Sequence, residues 1–131
     1  MTTTVPENEV AREIVDAAFK VHTTLGPGLL ESVYQAVLAH ELERRGLGVR
    51  REVPIAIQYD DLRFDVGFRA DLLVAELVIV ELKSVEQTSP VHKKQVLTYI
   101  KLAQLRLGLL INFGASRIKD EITRLVHGLP D

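Results

Sequence analysis

Hydrophobic residues recur every three or four positions in the first third of the chain, which predicts two amphipathic helices. The first covers Glu7 to Leu25, and Gly26-Pro27-Gly28 ends it. The second runs from about Leu29 to Arg45, where the following Gly46 is a typical stop. The inward-facing residues predicted for the two helices are Val10, Ile14, Ala17, Val21, Leu25, Leu30, Val33, Tyr34, Val37, Leu38 and Leu42.

After Gly48 the period shortens to two, which is typical of strands. Residues 49–59 contain Pro54 and predict one bent strand or two short ones at a sheet edge. Asp60-Asp61 is a turn signal, and residues 64–74 and 77–84 form a predicted antiparallel hairpin.

Ser89-Pro90 precedes a third predicted helix, from about Val91 to Leu105. Residues 107–113 are nearly all apolar, as in a strand that is buried on both faces. Residues 115–127 fit either a short helix or a strand. The order α-α-β-β-β-α-β predicts an α/β (α+β) domain in which helices pack on a mixed sheet.

The 131 residues fit a single domain, residues 1–131, with a flexible tail over residues 1–6. There is no cysteine, which excludes disulfides and thiolate sites, and the four histidines show no zinc-ligand spacing. No apolar run is long enough to span a bilayer, so we expect no membrane contact and a cytoplasmic location. The net charge of −2 argues against a large basic surface for nucleic acid.

The predicted hairpin brings two acidic residues together. If a three-residue loop, Ala75-Glu76-Leu77, joins its strands, three cross-strand pairs share one face: Leu73 with Ile79, Asp71 with Glu81, and Arg69 with Lys83. The opposite face then carries Phe68, Ala70, Leu72 and Val74. A two-residue loop would instead separate the two acids onto opposite faces.

Two adjacent carboxylates repel each other, and a shared divalent cation is the usual reason for such a pair. Oxygen ligands favour Mg²⁺ or Mn²⁺ over zinc. Lys83 follows Glu81 by two residues and could polarise water or phosphate from the same face. The alternative is a solvated face of surface ion pairs, but the many apolar neighbours indicate a central hairpin.

The arrangement resembles the PD-(D/E)xK nuclease superfamily: a strand ending in an acid, then Glu-x-Lys on the next strand, then a helix. Ala70 stands where proline often precedes the acid. Residues 28–34 also read Gly-x-x-Glu-x-x-Tyr, so the whole chain looks like the GxxExxY branch of that superfamily. Gln95 and Tyr99 have the Gln-x-x-x-Tyr spacing of RecB-like exonucleases.

This resemblance, which covers residues 9–126, implies a restriction-endonuclease-like core and a Mg²⁺-dependent (or Mn²⁺-dependent) nuclease. Asp71, Glu81 and the backbone carbonyl of Leu82 would hold the metal, and Lys83 would orient the hydrolytic water. Glu31 would join as a metal ligand, directly, through water or at a second metal. An acid in the first turn of a helix also has a purely structural explanation, because it interacts favourably with the helix dipole.

The resemblance also suggests residues for the wall of the site. Gln95 is a candidate for the wall itself, and Arg69, opposite Lys83, could hold Glu31 or a phosphate. Tyr34, Tyr99 and His22 are candidates too, each with a packing role as the alternative.

The substrate that the resemblance implies is nucleic acid, DNA rather than RNA. A domain of this size offers little surface for a duplex, so we expect a homodimer or a protein partner. The alternative function is a catalytically idle or accessory domain that keeps the nuclease fold and binds a protein or nucleic acid.

Overall fold

A computed structural model describes residues 5–130. Its helices are α1 (Pro6–Leu25), α2 (Glu31–Arg44) and α3 (Pro90–Leu102). Its strands are β1 (Val49–Tyr59), β2 (Leu62–Val74), β3 (Val78–Lys83), β4 (Leu107–Asn112) and β5 (Ile122–Val126). The predicted order of elements is confirmed. The flexible tail predicted for residues 1–6 lies mostly outside the described residues, and Pro6 already belongs to α1.

The five strands form one mixed sheet in the order β1-β2-β3-β4-β5. Only β3 and β4 are parallel, and α3 provides the crossover between them. The other neighbours are antiparallel. β1 is an edge strand, as its proline predicted, and it is one strand with an irregularity between Ile55 and Ile57.

The helices cover opposite faces of the sheet, so this is an α+β domain of three layers. α1 and α2 bury the face that carries Val78, Val80 and Leu82 of β3, together with alternate residues of β4. α3 packs against the other face through Ile100, which contacts a cluster that includes Ile79. Because both faces are covered, all six residues of β4 are buried, as predicted.

The predicted apolar stripes of α1 and α2 are largely confirmed, with corrections near Gly26-Pro27-Gly28. Leu25, Leu30 and Val33 are exposed rather than buried. α2 begins at Glu31, two residues later than predicted, because Leu30 keeps an extended backbone. The loop between the helices therefore holds Leu30 outside the helical stripe.

α3 begins as the Ser89-Pro90 pair predicted and ends three residues earlier than expected, at Leu102. Ser89 and His92 form a capping box, in which the Ser89 amide donates to Nδ1 of His92 at 3.2 Å. The helix lies close to β4 at Gly108, where a Cβ atom would press on the side chains of Val96 and Ile100. This close approach brings α3 over the β2–β3 hairpin.

Both alternatives for residues 115–127 occur in turn. A short 3₁₀ helix, Ile118–Glu121, leads directly into β5. Within residues 5–130, no helix combines the length and the apolar character needed to cross a membrane.

Candidate metal centre

The turn between β2 and β3 sets the register of the candidate site. Ala75, Glu76 and Leu77 form the predicted three-residue loop, and the first two adopt positive φ angles of 55° and 56°. Leu73 therefore faces Ile79, and Leu72 faces Val80. Extended by one position beyond the paired residues, this register sets Asp71 opposite Glu81, and the hydrogen bond from the Asp71 amide to the Glu81 carboxylate shows that the two residues meet across the hairpin.

The two acids replace the main-chain pairing at this point. The ladder between β2 and β3 covers residues 72–74 and 78–80, and the strands then separate. The Asp71 amide donates to Oε1 of Glu81 at 3.2 Å, and the Leu82 amide donates to Oδ2 of Asp71 at 2.9 Å. Each carboxylate thus accepts a hydrogen bond from the backbone of the opposite strand, which fixes both side chains in the gap.

An irregularity in β1 accompanies this separation. Glu52, which lies between the pairs Arg51–Leu72 and Val53–Ala70, has a positive φ of 51°. Its carboxylate accepts a hydrogen bond from Nε2 of Gln35 on α2 at 2.8 Å. A non-glycine residue in this conformation disturbs the regular pleat of the strand. Alternate residues before and after this point therefore no longer face the same side of the sheet.

The predicted alternation along β2 is therefore wrong on the N-terminal side of Asp71. Phe68 and Ala70 pack with Leu73 and Ile79 on the α3 side, whereas Leu72 packs under α1 and α2. Arg69, between Phe68 and Ala70, lies on the side away from α3. It is exposed and faces Pro54 of β1. The predicted pairing of Arg69 with Lys83 is absent from the β2–β3 ladder, which ends at Leu72.

The acid pair lies in an environment that disfavours two negative charges. Glu81 is buried and Asp71 is half-buried. Burial, the charge of Asp71 and a hydrogen bond with the Asp71 carboxyl raise the pKa of Glu81 to about 9, against the opposing charge of Lys83. Without a cation, this raised pKa favours the protonated form of Glu81 at neutral pH.

Lys83 lies at the end of β3, two residues after Glu81, and is half-buried. Its carbonyl accepts a hydrogen bond from the Phe113 amide at 2.8 Å, which ties this strand end to β4. Lys83 and Glu81 share a face of β3 because their side chains are two positions apart. The three predicted central residues, Asp71, Glu81 and Lys83, therefore come together at one place in the sheet.

Tyr99 of α3 adjoins the acid pair. Burial and then the charges of Glu81 and Asp71 raise the pKa of its phenol. Its ring stacks on Phe68, with centroids 4.0 Å apart and the planes within 6°. Gln95 lies on the same helix four residues earlier and is exposed. Tyr99 thus combines a packing role with a position beside the acids.

Glu31 is the first residue of α2 and is exposed. It lines a cleft of about 650 Å³ together with Ser84, Val85 and Glu86, the segment that follows β3. The Ser84 hydroxyl donates a hydrogen bond to the Leu29 carbonyl at 2.5 Å, which joins the two segments that line this cleft. Glu31 therefore approaches the end of β3 from the α2 side.

Two of the predicted wall residues hold loops in place. The Tyr34 hydroxyl donates to the Gly26 carbonyl at 2.5 Å and accepts from the Leu29 amide at 3.2 Å, while its buried ring stacks on Phe113. His22 is buried, and its Nε2 lies 2.8 Å from the Ala115 carbonyl, as a donor would. Both side chains shape the cleft by fixing the chain around it.

The sequence prediction did not include Asn112, a fully buried residue that faces Lys83 across the parallel strands. Its Oδ1 accepts from the Val85 amide at 3.1 Å and from the Gly114 amide at 2.9 Å. Its Nδ2 is a buried donor without a partner among the described residues. One polar residue at the end of an otherwise apolar strand was the available signal.

The oxygen donors at the hairpin fit a hard divalent cation. Two carboxylates meet there, and a cation would remove the repulsion that otherwise requires a proton. Within the described part of the chain, no group of three or more His, Asp or Glu side chains has the spacing of a metal site. The Asp71–Glu81 pair therefore provides the side-chain oxygen donors of the candidate metal site.

Comparison with known proteins identifies one family. The family model of the PD-(D/E)XK nuclease superfamily matches residues 8–125, which is most of the chain. No curated protein and no solved structure matches the chain significantly. The matched segment contains every element from α1 to β5 except the ends of these two, and thus the whole acid pair and its surroundings.

Proposed function

Because the chain belongs to the PD-(D/E)XK nuclease superfamily, we propose that it is a metal-dependent nuclease that hydrolyses phosphodiester bonds. The metal is Mg²⁺ or Mn²⁺, and the substrate is DNA rather than RNA. We also propose that it belongs to the GxxExxY branch of the superfamily, which the Gly-x-x-Glu-x-x-Tyr pattern of residues 28–34 supports. The contact between the Asp71 and Glu81 carboxylates carries this proposal.

Asp71 and Glu81 hold the metal in this proposal, together with the backbone carbonyl of Leu82. The bonds from the Asp71 and Leu82 amides support it, because they hold both carboxylates in one orientation before a cation arrives. When bound, the metal lowers the pKa of a water molecule and stabilises negative charge on the phosphate. Glu31 acts from the cleft beside β3, as a ligand through water or at a second metal.

Lys83 orients the attacking water and neutralises charge on the phosphate. Its position supports this role, since it shares a face with Glu81 and its ammonium acts on the Glu81 carboxyl. Gln95 and Tyr99 form the wall of the site on the α3 side. Tyr34 and His22 act indirectly, by holding the loops that border the cleft, and Arg69 remains a candidate for a contact with substrate at its rim.

A cleavage assay tests this function. Single- and double-stranded DNA and RNA are incubated with the protein in Mg²⁺, Mn²⁺ or EDTA. We expect DNA cleavage that needs the metal and that falls at least about a hundredfold in Asp71→Asn and in Lys83→Met. Glu76→Gln and Lys119→Met are matched controls, because they remove the same charges from exposed positions outside the proposed site.

The outcomes separate this function from its alternative. Cleavage that survives both Asp71→Asn and Lys83→Met would exclude the proposed centre. If the protein binds Mg²⁺ through Asp71, as measured by calorimetry, but cleaves none of the four substrates, the domain is catalytically idle. In that case it is an accessory domain that binds a protein or nucleic acid.

A further inference from the structure

The tip of the β1–β2 hairpin extends beyond the rest of the sheet. β3 pairs with β2 only over residues 72–74, whereas β1 and β2 remain paired out to Tyr59 and Leu62. We call residues 57–66 the arm. It is a two-stranded ribbon closed by the Asp60-Asp61 turn, and a ribbon of this kind has little stability in water without a partner surface.

The arm exposes large apolar side chains. Tyr59 is 71% exposed, Leu62 60%, Phe64 54% and Val66 47%. Tyr59 pairs with Leu62, and Ile57 pairs with Phe64. Cross-strand partners point to the same face, and positions 57 and 59 also share a face. The two pairs, Ile57–Phe64 and Tyr59–Leu62, therefore form one apolar surface. Ile57 lies at the inner end of this surface. Its side chain packs so closely over Gly67 that a Cβ atom on Gly67 would overlap it.

Charge is distributed unevenly along the hairpin. The arm carries Asp60, Asp61 and Asp65 against one cation, Arg63, whose Nε lies 3.2 Å from Oδ1 of Asp65. The base of the hairpin carries exposed Arg51 and Arg69 against one exposed acid, Glu52, whose carboxylate accepts a hydrogen bond from Gln35. The tip is therefore acidic and the base is basic. Leu62 and Arg69 are seven residues apart, or about 23 Å along the strand.

We propose that the arm is a self-association surface, through which two copies of this chain form a dimer with two-fold symmetry. The apolar faces of the two arms pack against each other with their strands antiparallel. The acidic tip of each arm then lies beside the basic base of the other. Because a two-fold axis makes this contact reciprocal, the acidic tip of each copy meets the basic base of the other copy. Nucleic acid is a poorer partner, because phosphates are repelled by Asp60 and Asp61.

The size of the surface sets the expected strength of the dimer. An arm about 20 Å long and about 10 Å wide is small beside the ~800 Å² per partner of a stable interface. We therefore expect a weak dimer, with a dissociation constant in the micromolar to millimolar range. Burial of an exposed apolar ribbon would also remove a surface that is prone to aggregation.

Sedimentation equilibrium of the full chain tests the proposal, at protein concentrations from about 10 µM to about 1 mM. We expect a monomer–dimer equilibrium in the wild type. The double substitution Tyr59→Glu/Phe64→Glu should raise the dissociation constant at least tenfold. Val91→Glu is the matched control, because Val91 is as exposed as Phe64 but lies on α3. Circular dichroism establishes that each variant is folded.

A charge exchange tests the orientation of the two arms. Asp60→Lys/Asp61→Lys should weaken the dimer, because lysines would then face the arginines at the base. Adding Arg69→Asp to this variant should restore at least part of the affinity. A wild type that stays monomeric at about 1 mM would overturn the proposal, as would a dimer that responds equally to the arm variant and to Val91→Glu. These measurements need no nuclease activity, so they are independent of the proposed function.

Discussion

At the scale of single residues, the acid pair illustrates a conflict between stability and function. Asp71 and Glu81 share a buried gap where two negative charges repel each other. A sequence selected only for stability would put neutral residues there. Functional sites commonly keep such unfavourable groups because ligand binding compensates for them.

Glu81→Gln should therefore stabilise the protein in EDTA, by roughly 1–3 kcal/mol at neutral pH. The pKa of Glu81 is raised from 4.5 to about 9 on folding, so the wild type loses stability as the pH rises through that range. The variant has no such loss, and its advantage should grow from about pH 5 to about pH 8. Urea unfolding at several pH values measures this difference.

Addition of Mg²⁺ should reverse the order of stability. The wild type gains stability in proportion to the logarithm of free Mg²⁺ above its dissociation constant, whereas Glu81→Gln gains little. Glu76→Gln, in the exposed turn of the same hairpin, should respond like the wild type. A variant that is less stable than wild type at every pH in EDTA would contradict the prediction.

Asn112 is the second residue whose environment allows a prediction. Asn112→Ala leaves the partly buried amides of Val85 and Gly114 without their acceptor and a cavity at a fully buried position, so it should lower the free energy of unfolding by about 2–4 kcal/mol. Gln87→Ala, at an exposed position in the following loop, should change it by less than about 0.5 kcal/mol. Equal effects of the two substitutions in urea unfolding would show that Asn112 does not hold the end of β3.

At the scale of elements, α1 is anchored to the segment before β4 by one ion pair. Nε of Arg106 lies 2.7 Å from Oε2 of Glu7, and its terminal nitrogen lies 2.9 Å from Oε1. Glu7 is buried in the first turn of α1, and the hydrogen bond from Arg106 lowers its pKa. This two-point contact joins residues that are far apart in the chain.

Glu7→Gln should lower the melting temperature at pH 7, and the effect should disappear in acid. The folded-state pKa of Glu7 lies below its ordinary value of 4.5, so the ion pair stabilises the fold above that pH and is lost as the pH falls through the folded-state pKa. Thermal melts between about pH 3 and pH 7 measure the difference. Glu9→Gln, on the exposed side of the same turn, is the control. A difference that stays constant down to pH 3 would contradict this account.

At the scale of the whole molecule, the net charge of −2 limits the proposed binding of nucleic acid. Long-range attraction for phosphates is weak, so local cations have to provide the contacts. Lys93 and Lys94 lie exposed at the start of α3, the helix that also carries Gln95 and Tyr99. They are two adjacent cations on the helix that forms the proposed wall of the site.

Binding of a short DNA duplex should therefore depend on Lys93 and Lys94. Lys93→Ala/Lys94→Ala should reduce the slope of log affinity against log salt by up to about 2, because each phosphate contact contributes about one unit. Lys119→Ala, in the 3₁₀ helix before β5, should leave the slope unchanged. Fluorescence anisotropy at several salt concentrations, in EDTA to prevent cleavage, measures both slopes. An unchanged slope in the double variant would place the DNA elsewhere.

The sequence by itself determined much of this protein. Apolar periodicity predicted the order of helices and strands, because burial of one face imposes a period of 3.6 or 2 on the chain. The sequence also predicted that Asp71 and Glu81 meet if a three-residue turn follows Val74, since register and side-chain direction are coupled in a hairpin. The structure has that turn. The family followed from the same few residues.

Only the tertiary structure decided where the alternation fails. The left-handed conformation of Glu52 has no signature in its own residue type, and it depends on packing between β1, β2 and α2. That irregularity moved Arg69 away from the acid pair and allowed the Asp71 carboxylate to bind the Leu82 amide. The burial of Asn112 and the exposure of the arm likewise depend on how distant segments of the chain pack. Local pattern therefore set the register of the site, and long-range packing set its geometry.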